Sequence, residues 1–332
     1  MGKARRDNKN KIFKFAVIAL LVVFLLVGAF AGLKIWEEYA GKYGKLDSET
    51  QYFEHDGKKY TLKTDGIETL LVMGLDKYEG DVSADSYNND QQADFLMLIV
   101  FDNKTKSYST IHINRDSMVN VNVLGVAGQK VDTVTKQIAL AHTHGNGKDV
   151  SCRNTADAVS NLLCGIKVDH YISLKMDSVA VFNDFVGGVE VEVLDDFKGV
   201  DETLVKGQKV NLTGEQAVHY VRTRKGLEDS SNSTRMQRQR QYLNALHDKS
   251  VQLMKDDESF IVTTVSQMSD YLVSDRSVTQ LQEIAQKLSK YTFVEINDIE
   301  GENKMGEKFI EFYPNEKSVK DIVVELFYKQ AE

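Results

Sequence analysis

The chain of 332 residues is 42% hydrophobic and 27% charged, a balance suited to one large or two smaller globular domains with a sizeable core. Its net charge of −8 excludes the broad basic face that a nucleic-acid partner would require. Two cysteines exclude a disulfide scaffold, and a single proline excludes a Pro-rich linker.

Residues 1–14 form a basic tail, with Lys3, Arg5, Arg6, Lys9, Lys11 and Lys14 against Asp7. Phe15 to Leu33 follows as 19 residues without a charge, about enough to span a bilayer as a helix. The expectation is a transmembrane anchor over 15–34, with the N-terminus cytoplasmic and everything beyond it outside the cell membrane. The run exceeds the usual signal-peptide core of about 7–15 residues, which favours an uncleaved anchor over the Ala29-Phe30-Ala31 cleavage site.

Residues 35–66 read as a stalk leading into a polar hairpin that turns at His55-Asp56-Gly57-Lys58. Apolar runs at Thr69–Gly74 and Phe95–Phe101 predict buried strands, and the alternation over Tyr108–Asn114 predicts a third. Asp76, Asp94 and Arg115 therefore sit at strand ends. Residues 131–148 look helical and then polar. A helix is predicted over 153–164, closed by Gly165, and it would hold Cys152 and Cys164 too far apart to bridge. His170–Lys175 and Val189–Leu194 read as strands. Strands alternating with helices point to an α/β sheet covered on both faces. From Leu246 to about Tyr291 the pattern is helical, with a cap at Ser277-x-x-Gln280. β-rich pieces follow to Tyr313, and an amphipathic helix runs over Ser318–Tyr328. No linker frees residues 251–332, so they are expected to pack on the same domain.

The densest positive charge outside the tail lies between Thr213 and Leu246. Thr213-x-x-Gln216 is a capping box that starts a short helix at Gly214. Arg222 and Arg224 follow, and on an extended exit both would point to one face. Arg235 and Gln239 are four apart on the next helix and share a face. Planar guanidiniums recognise phosphate bidentately, so this stretch is read as holding a phosphate-bearing ligand. Met236, Leu243 and Leu246 mark the buried side of that helix, which leaves Arg238 and Arg240 as ordinary helix surface. Asp76 and Asp94 could share one hard divalent cation or could simply cap turns. His142-Thr143-His144 lacks the third ligand that zinc usually requires. No nucleophile elbow, Walker A loop or dinucleotide fingerprint is present.

Taken in order, these segments resemble the LytR–CpsA–Psr family of membrane-anchored cell-wall proteins. The matching pieces are Leu70–Asp76, Ala93-Asp94, Ile113–Asp116, Asp184–Val191, Leu212–Ala217, Tyr220–Arg224 and Arg235–Gln239. The resemblance implies an α/β catalytic domain over about 67–250, with a central mixed sheet flanked by helices on both faces. It also implies transfer of a glycopolymer from a polyprenyl-pyrophosphate carrier to peptidoglycan at the cytoplasmic membrane. Carried over residue by residue, Asp76 and Asp94 would bind Mg2+, with Mn2+ as the alternative. Arg115, Arg222, Arg224, Arg235 and Gln239 would contact the pyrophosphate. Asp94 or Asp116 could accept the proton of the attacking hydroxyl. Hydrolysis of the carrier, or a non-catalytic regulator or glycopolymer-binding protein, are the alternatives. Two positions depart from the family pattern: Asn114 stands where a proline is common, and Gln92 where an arginine is frequent. The carrier's lipid would need an apolar groove, for which Leu162, Leu163, Val181, Phe182 and Phe185 are candidates, a plain hydrophobic core being the alternative reading of the same side chains.

Overall fold

The third strand shows how the sheet is built. Along β3 (Ile67–Lys77), Leu71, Met73 and Leu75 point into one apolar cluster, while Leu70 and Val72 point into another on the opposite face. A strand apolar on both sides has to be covered on both sides. The computed structural model describes residues 52–77, 87–223, 232–257, 259–307 and 309–331. The anchor read at 15–34 lies outside these residues. Among the described residues no helix is long and apolar enough to cross a membrane.

The central sheet has six strands in the order β11-β8-β3-β4-β5-β12. They are β3, β4 (Gln91–Asp102), β5 (Ser107–His112), β8 (His170–Lys175), β11 (Leu272–Ser274) and β12 (Thr292–Asp298). β3 pairs antiparallel with β4 and parallel with β8, and β12 runs parallel to β5, so the sheet is mixed. Helices α1 (Asp149–Leu162) and α7 (Glu316–Phe327) cover one face through Ala158, Val159, Ile322 and Val323. Leu281 and Ile284 of α6 (Val278–Lys290) pack on the other face. A third apolar cluster joins α2 (Ser178–Phe185), α3 (Gly214–Arg222), β9 (Val189–Glu192), β10 (Lys209–Leu212) and Tyr242 of α4 (Asn232–Asp256). Helix α5 (Phe260–Met268) follows α4.

The hairpin read at His55–Lys58 joins β1 (Phe53–His55) to β2 (Lys58–Leu62), and the short C-terminal strand β15 (Tyr328–Gln330) pairs with β2. The helical reading of 131–148 is overturned. Residues Lys130–Gln137 form β7, which pairs with β6 (Met118–Leu124), and a 3-10 turn follows over Ile138–Thr143. Val131, Thr133, Val134 and Thr135 are β-branched and favour the strand once β6 offers a partner. β13 (Gly301–Met305) and β14 (Ile310–Pro314) form a further hairpin. Helix α1 ends in a Schellman turn. Cys164, rather than Gly165, takes the first left-handed position at φ 56°, and the Gly165 N–H returns to the Ser160 carbonyl at 2.8 Å. Both cysteines are free thiols, Cys152 buried and Cys164 exposed.

Candidate functional site

Two local irregularities set the site. The first is a β-bulge. Gly74 pairs with Phe95 and Leu75 with Ala93, which leaves Asp94 as the extra residue on β4. A bulge re-aims a side chain, and here Ala93 and Asp94 are both buried although they are adjacent in sequence. A Cβ on Gly74 would lie 2.9 Å from the Phe95 Cβ, so the position opposite the bulge favours glycine.

The second irregularity is the turn after β5. The Asn114 side chain accepts a hydrogen bond from the Asp116 N–H at 3.0 Å, and the Ser117 N–H returns to the Asn114 carbonyl. This Asx turn fixes the chain where the family pattern has a proline. It delivers Arg115, whose Nη1 pairs with Asp94 Oδ1 at 2.6 Å and whose Nη2 donates to Gln92 Oε1 at 2.9 Å. Gln92, the other departure from the family pattern, thus supplies an acceptor for Arg115. Asp116 lies behind the arginine. Its Oδ1 is 3.5 Å from Arg115 Nε and accepts from Gln137 Nε2 at 3.0 Å, while the same amide also donates to the Ile310 carbonyl of β14.

The arginines from the later segments arrive on two helices. Thr213 and Gln216 form the expected capping box at the start of α3. The Gly214 N–H donates to Asp184 Oδ1 of α2 at 2.7 Å, and a Cβ on Gly214 would meet Asp184 Oδ2 at 2.6 Å. Two of the matched family segments therefore do not touch the site; they fix the helix that carries it. Arg222 is the last residue of α3 rather than part of an extended exit. It grips Asp76 with both forks, Nε to Oδ2 at 2.5 Å and Nη2 to Oδ1 at 2.8 Å. Arg224 lies outside the described residues. On α4, Arg235 and Gln239 do share a buried face. Arg235 Nη1 is 3.4 Å from Asp94 Oδ2, and Gln239 Nε2 donates to the Val221 carbonyl at 3.1 Å.

Arg238 and Arg240 are not ordinary helix surface. Arg238 is fully buried. It donates to the carbonyls of Tyr220 and Thr223, pairs through Nε with Asp195 at 3.0 Å, and lies over the Phe197 ring. Its role is to staple the end of α3 to α4. Arg240 pairs with Asp298 of β12. The charge pattern does not separate such a buried staple from a ligand-binding arginine, because both are cations on one helix.

His112, at the end of β5, has no signal in the sequence and lies at the back of the site, beside Phe95. Burial pushes its pKa down to about 3, and the positive charges of Arg240 and Arg235 act in the same direction. His142 and His144 are likewise buried and held low, both to about 4. His142 contacts Cys152 and the Gln91 carbonyl. Among the described residues, the one group of three His, Cys, Asp or Glu side chains with ligand atoms mutually close is His55, Asp56 and Asp321.

Next to the charged groups lies an apolar cavity of about 390 Å3. Its wall includes Phe95, Val221 and Gln239, which are the chain neighbours of Asp94 and Arg222 and one of the site residues themselves. Val72, Leu174, Leu243 and Leu246 continue it over the sheet face. Of the five side chains read as a groove, only Phe182 lines it; Leu163 belongs to the core on the other face of the sheet, with Leu162 packed against it. Site and cavity together make an amphipathic receptor, with cations at one end and hydrocarbon at the other.

Comparison with known proteins gives a consistent result. The LytR_cpsA_psr family model matches residues 33–327. The chain is 28% identical over 252 residues to the Bacillus subtilis polyisoprenyl-teichoic acid–peptidoglycan teichoic acid transferase TagV, covering 72% of this chain and 58% of that protein. It is 29% identical to the transferase TagT of the same organism, covering 75% of this chain and 74% of TagT. The cell wall biosynthesis protein LcpA of Corynebacterium glutamicum is 24% identical over 99% of this chain and 67% of its own length. A solved structure of TagT bound to LI-WTA shares the fold with a TM-score of 0.60 at 22% identity, covering 84% of this chain and 94% of that one.

Proposed function

The chain belongs to the LytR_cpsA_psr family, and from that membership we propose that it is a phosphotransferase that moves a glycopolymer from a polyprenyl-pyrophosphate carrier to peptidoglycan. The observation that carries this reading is the junction of the Asp94–Arg115–Arg235 group with the 390 Å3 apolar cavity. A polyprenyl pyrophosphate has the same polarity, an anionic head on a hydrocarbon tail. A pocket of this size and lining suits the tail, and guanidiniums suit the head.

In the reaction, a peptidoglycan hydroxyl oxygen attacks the phosphorus that bears the glycopolymer. The bond from that phosphorus to the bridging oxygen breaks. The products are a phosphodiester between glycopolymer and peptidoglycan, and polyprenyl phosphate carrying the bridging oxygen. Phosphoryl transfer mainly needs positioning and stabilisation of charge on the phosphate oxygens. Arg115 and Arg235 supply a buried positive wall. Arg222 exchanges Asp76 for phosphate when the carrier arrives. Gln239 stands where head and tail meet.

Asp94 Oδ1 is buried and meets Arg115 Nη1 at 2.6 Å outside hydrogen-bond geometry, with no other hydrogen-bond donor on it. Such an oxygen is a hard donor and fits Mg2+, as does the Asp76 carboxylate, with phosphate oxygens and water completing the shell. When bound, the cation would neutralise charge on the phosphates. The same Asp94 oxygen could instead take the proton of the attacking hydroxyl. Asp116, buried and held by Gln137, acts through Arg115. The anchor at 15–34 would keep the domain on the outer face of the membrane, where its carrier lies.

The test is incubation of the full chain, in detergent, with a polyprenyl-pyrophosphoryl sugar, Mg2+ and peptidoglycan fragments. Sugar phosphate joined to the glycan is expected in the mass spectrum. Free sugar phosphate without conjugate would replace transfer by hydrolysis. An Arg115→Ala variant with unchanged carrier binding and turnover would overturn the site.

A further inference from the structure

Beyond the cavity described above, a second apolar cavity of about 210 Å3 lies among α2, α4, α5 and α6. Val251, Met254, Phe260, Val265 and Ala285 line it. Phe182 and Leu288 line both cavities, so the two share this pair of side chains as a common wall. The polar side chains around the second cavity mostly engage neighbours: Thr264 Oγ1 donates to the Phe260 carbonyl, Ser289 Oγ donates to the Gln286 carbonyl, and His247 Nε2 meets the Tyr108 hydroxyl.

Helix α4 connects the two cavities to the charged site in sequence order. Gln239 is at the head end, Leu243 and Leu246 line the first cavity, and Ser250 and Met254 line the second. The spacings are three or four residues, so one helix face passes along all three places. From Gln239 to Met254 the helix rises about 22 Å.

We propose that the second cavity is a distal chamber for the same lipid, taking the far isoprenoid units of a long polyprenyl chain that has filled the first. The proposal rests on the reading of the first cavity as the carrier site. Its consequence is selection by chain length. A short prenyl tail ends in the first cavity, whereas a long one displaces Phe182 and Leu288 and gains the second apolar surface.

The experiment uses the full chain in detergent and two polyprenyl phosphates, one short and one long, each with a diazirine at the tail end. After irradiation, the short probe is expected to label Leu243, Leu246 or Met268. The long probe is expected to label Met254, Phe260 or Val265. The substitution Ala285→Phe, which fills the second cavity, is expected to weaken the long probe about tenfold and to leave the short one within about twofold. Retained binding of the short probe shows that the variant is folded. Labels from the long probe confined to the first cavity would overturn the proposal, as would unchanged affinity of Ala285→Phe for it. If neither probe binds the wild-type chain, the carrier site itself falls and the chamber with it.

Discussion

The two guanidinium–carboxylate clamps of the site differ in depth. Arg222 holds Asp76 with both forks, yet half of its side chain is exposed. Asp94 lies between Arg115 and Arg235, and none of the three side chains is more than 11% exposed. An exposed pair contributes about 0–1 kcal/mol, so it can be traded for another partner at little cost. Breaking a buried pair from one side costs about 3–5 kcal/mol, because a charge is left stranded. The outer clamp is therefore suited to exchange and the inner one to permanence. The inner clamp also draws two guanidiniums onto Asp94 and sets Asp116 behind Arg115, so its buried charges are matched two to two.

The comparison breaks most visibly at Asp94. Asp94→Asn keeps the shape but removes the carboxylate that Arg115 and Arg235 share, leaving Asp116 behind Arg115. Unfolding in denaturant should show a loss of about 3–5 kcal/mol, and conjugate formation should fall below detection. An unchanged midpoint would mean that the inner clamp is not a structural unit. Arg222→Ala, by contrast, should cost less than about 1 kcal/mol of stability while lowering turnover by about a hundredfold. Arg222→Lys should recover only part of that loss, since an ammonium cannot make the bidentate contact.

Much of this was legible in the sequence, for reasons that differ between residues. The strands of the sheet centre appear as apolar runs because both faces are buried, and Thr213 and Ser277 announce their helices through local capping geometry. Arg235 and Gln239 share a face because helical spacing requires it. The misreadings are all tertiary in origin. Arg238 became a buried staple because Asp195 and two carbonyls reach it from distant segments. Residues 130–137 became a strand because β6 offered an edge. The bulge at Asp94 leaves no mark in composition, since only the register against β3 defines it. Gln92 and Asn114 depart from the family pattern, and each makes a local contact that bears on Arg115.

Acid should also distinguish the two clamps, through the histidine behind the inner one. His112 has a folded pKa of about 3, lowered first by burial and then by Arg240 and Arg235. The unfolded chain binds the proton near the ordinary value of about 6.5. The unfolded state therefore holds more protons between these values, and stability falls as pH drops from about 6.5 toward 3. Between pH 7 and 5 this group alone should remove about 2 kcal/mol. Denaturant midpoints of wild type and His112→Gln across that range measure its share. Parallel slopes would show that His112 takes up its proton equally in the folded and unfolded chain, so that burial does not hold it neutral.

The smallest effect concerns Gln92, and it tests whether the inner clamp owes its alignment to hydrogen bonding as well as to charge. Arg115 is directed by the Asp94 carboxylate, by Asp116 behind it and by the Gln92 carbonyl at 2.9 Å. Gln92→Met removes the neutral acceptor and leaves both carboxylates, so the guanidinium stays in place but loses one of its fixed directions. A hydrogen bond from a charged donor is worth about 1.5–3 kcal/mol, reduced here because water can reach a partly exposed partner. Turnover should fall about fivefold, with the KM for the carrier little changed, because the fault lies in aim rather than in charge. Gln92→Glu retains an acceptor and should restore most of the rate. If Gln92→Met instead raises KM and leaves kcat intact, Gln92 contacts the carrier directly and Arg115 is held by its carboxylates alone.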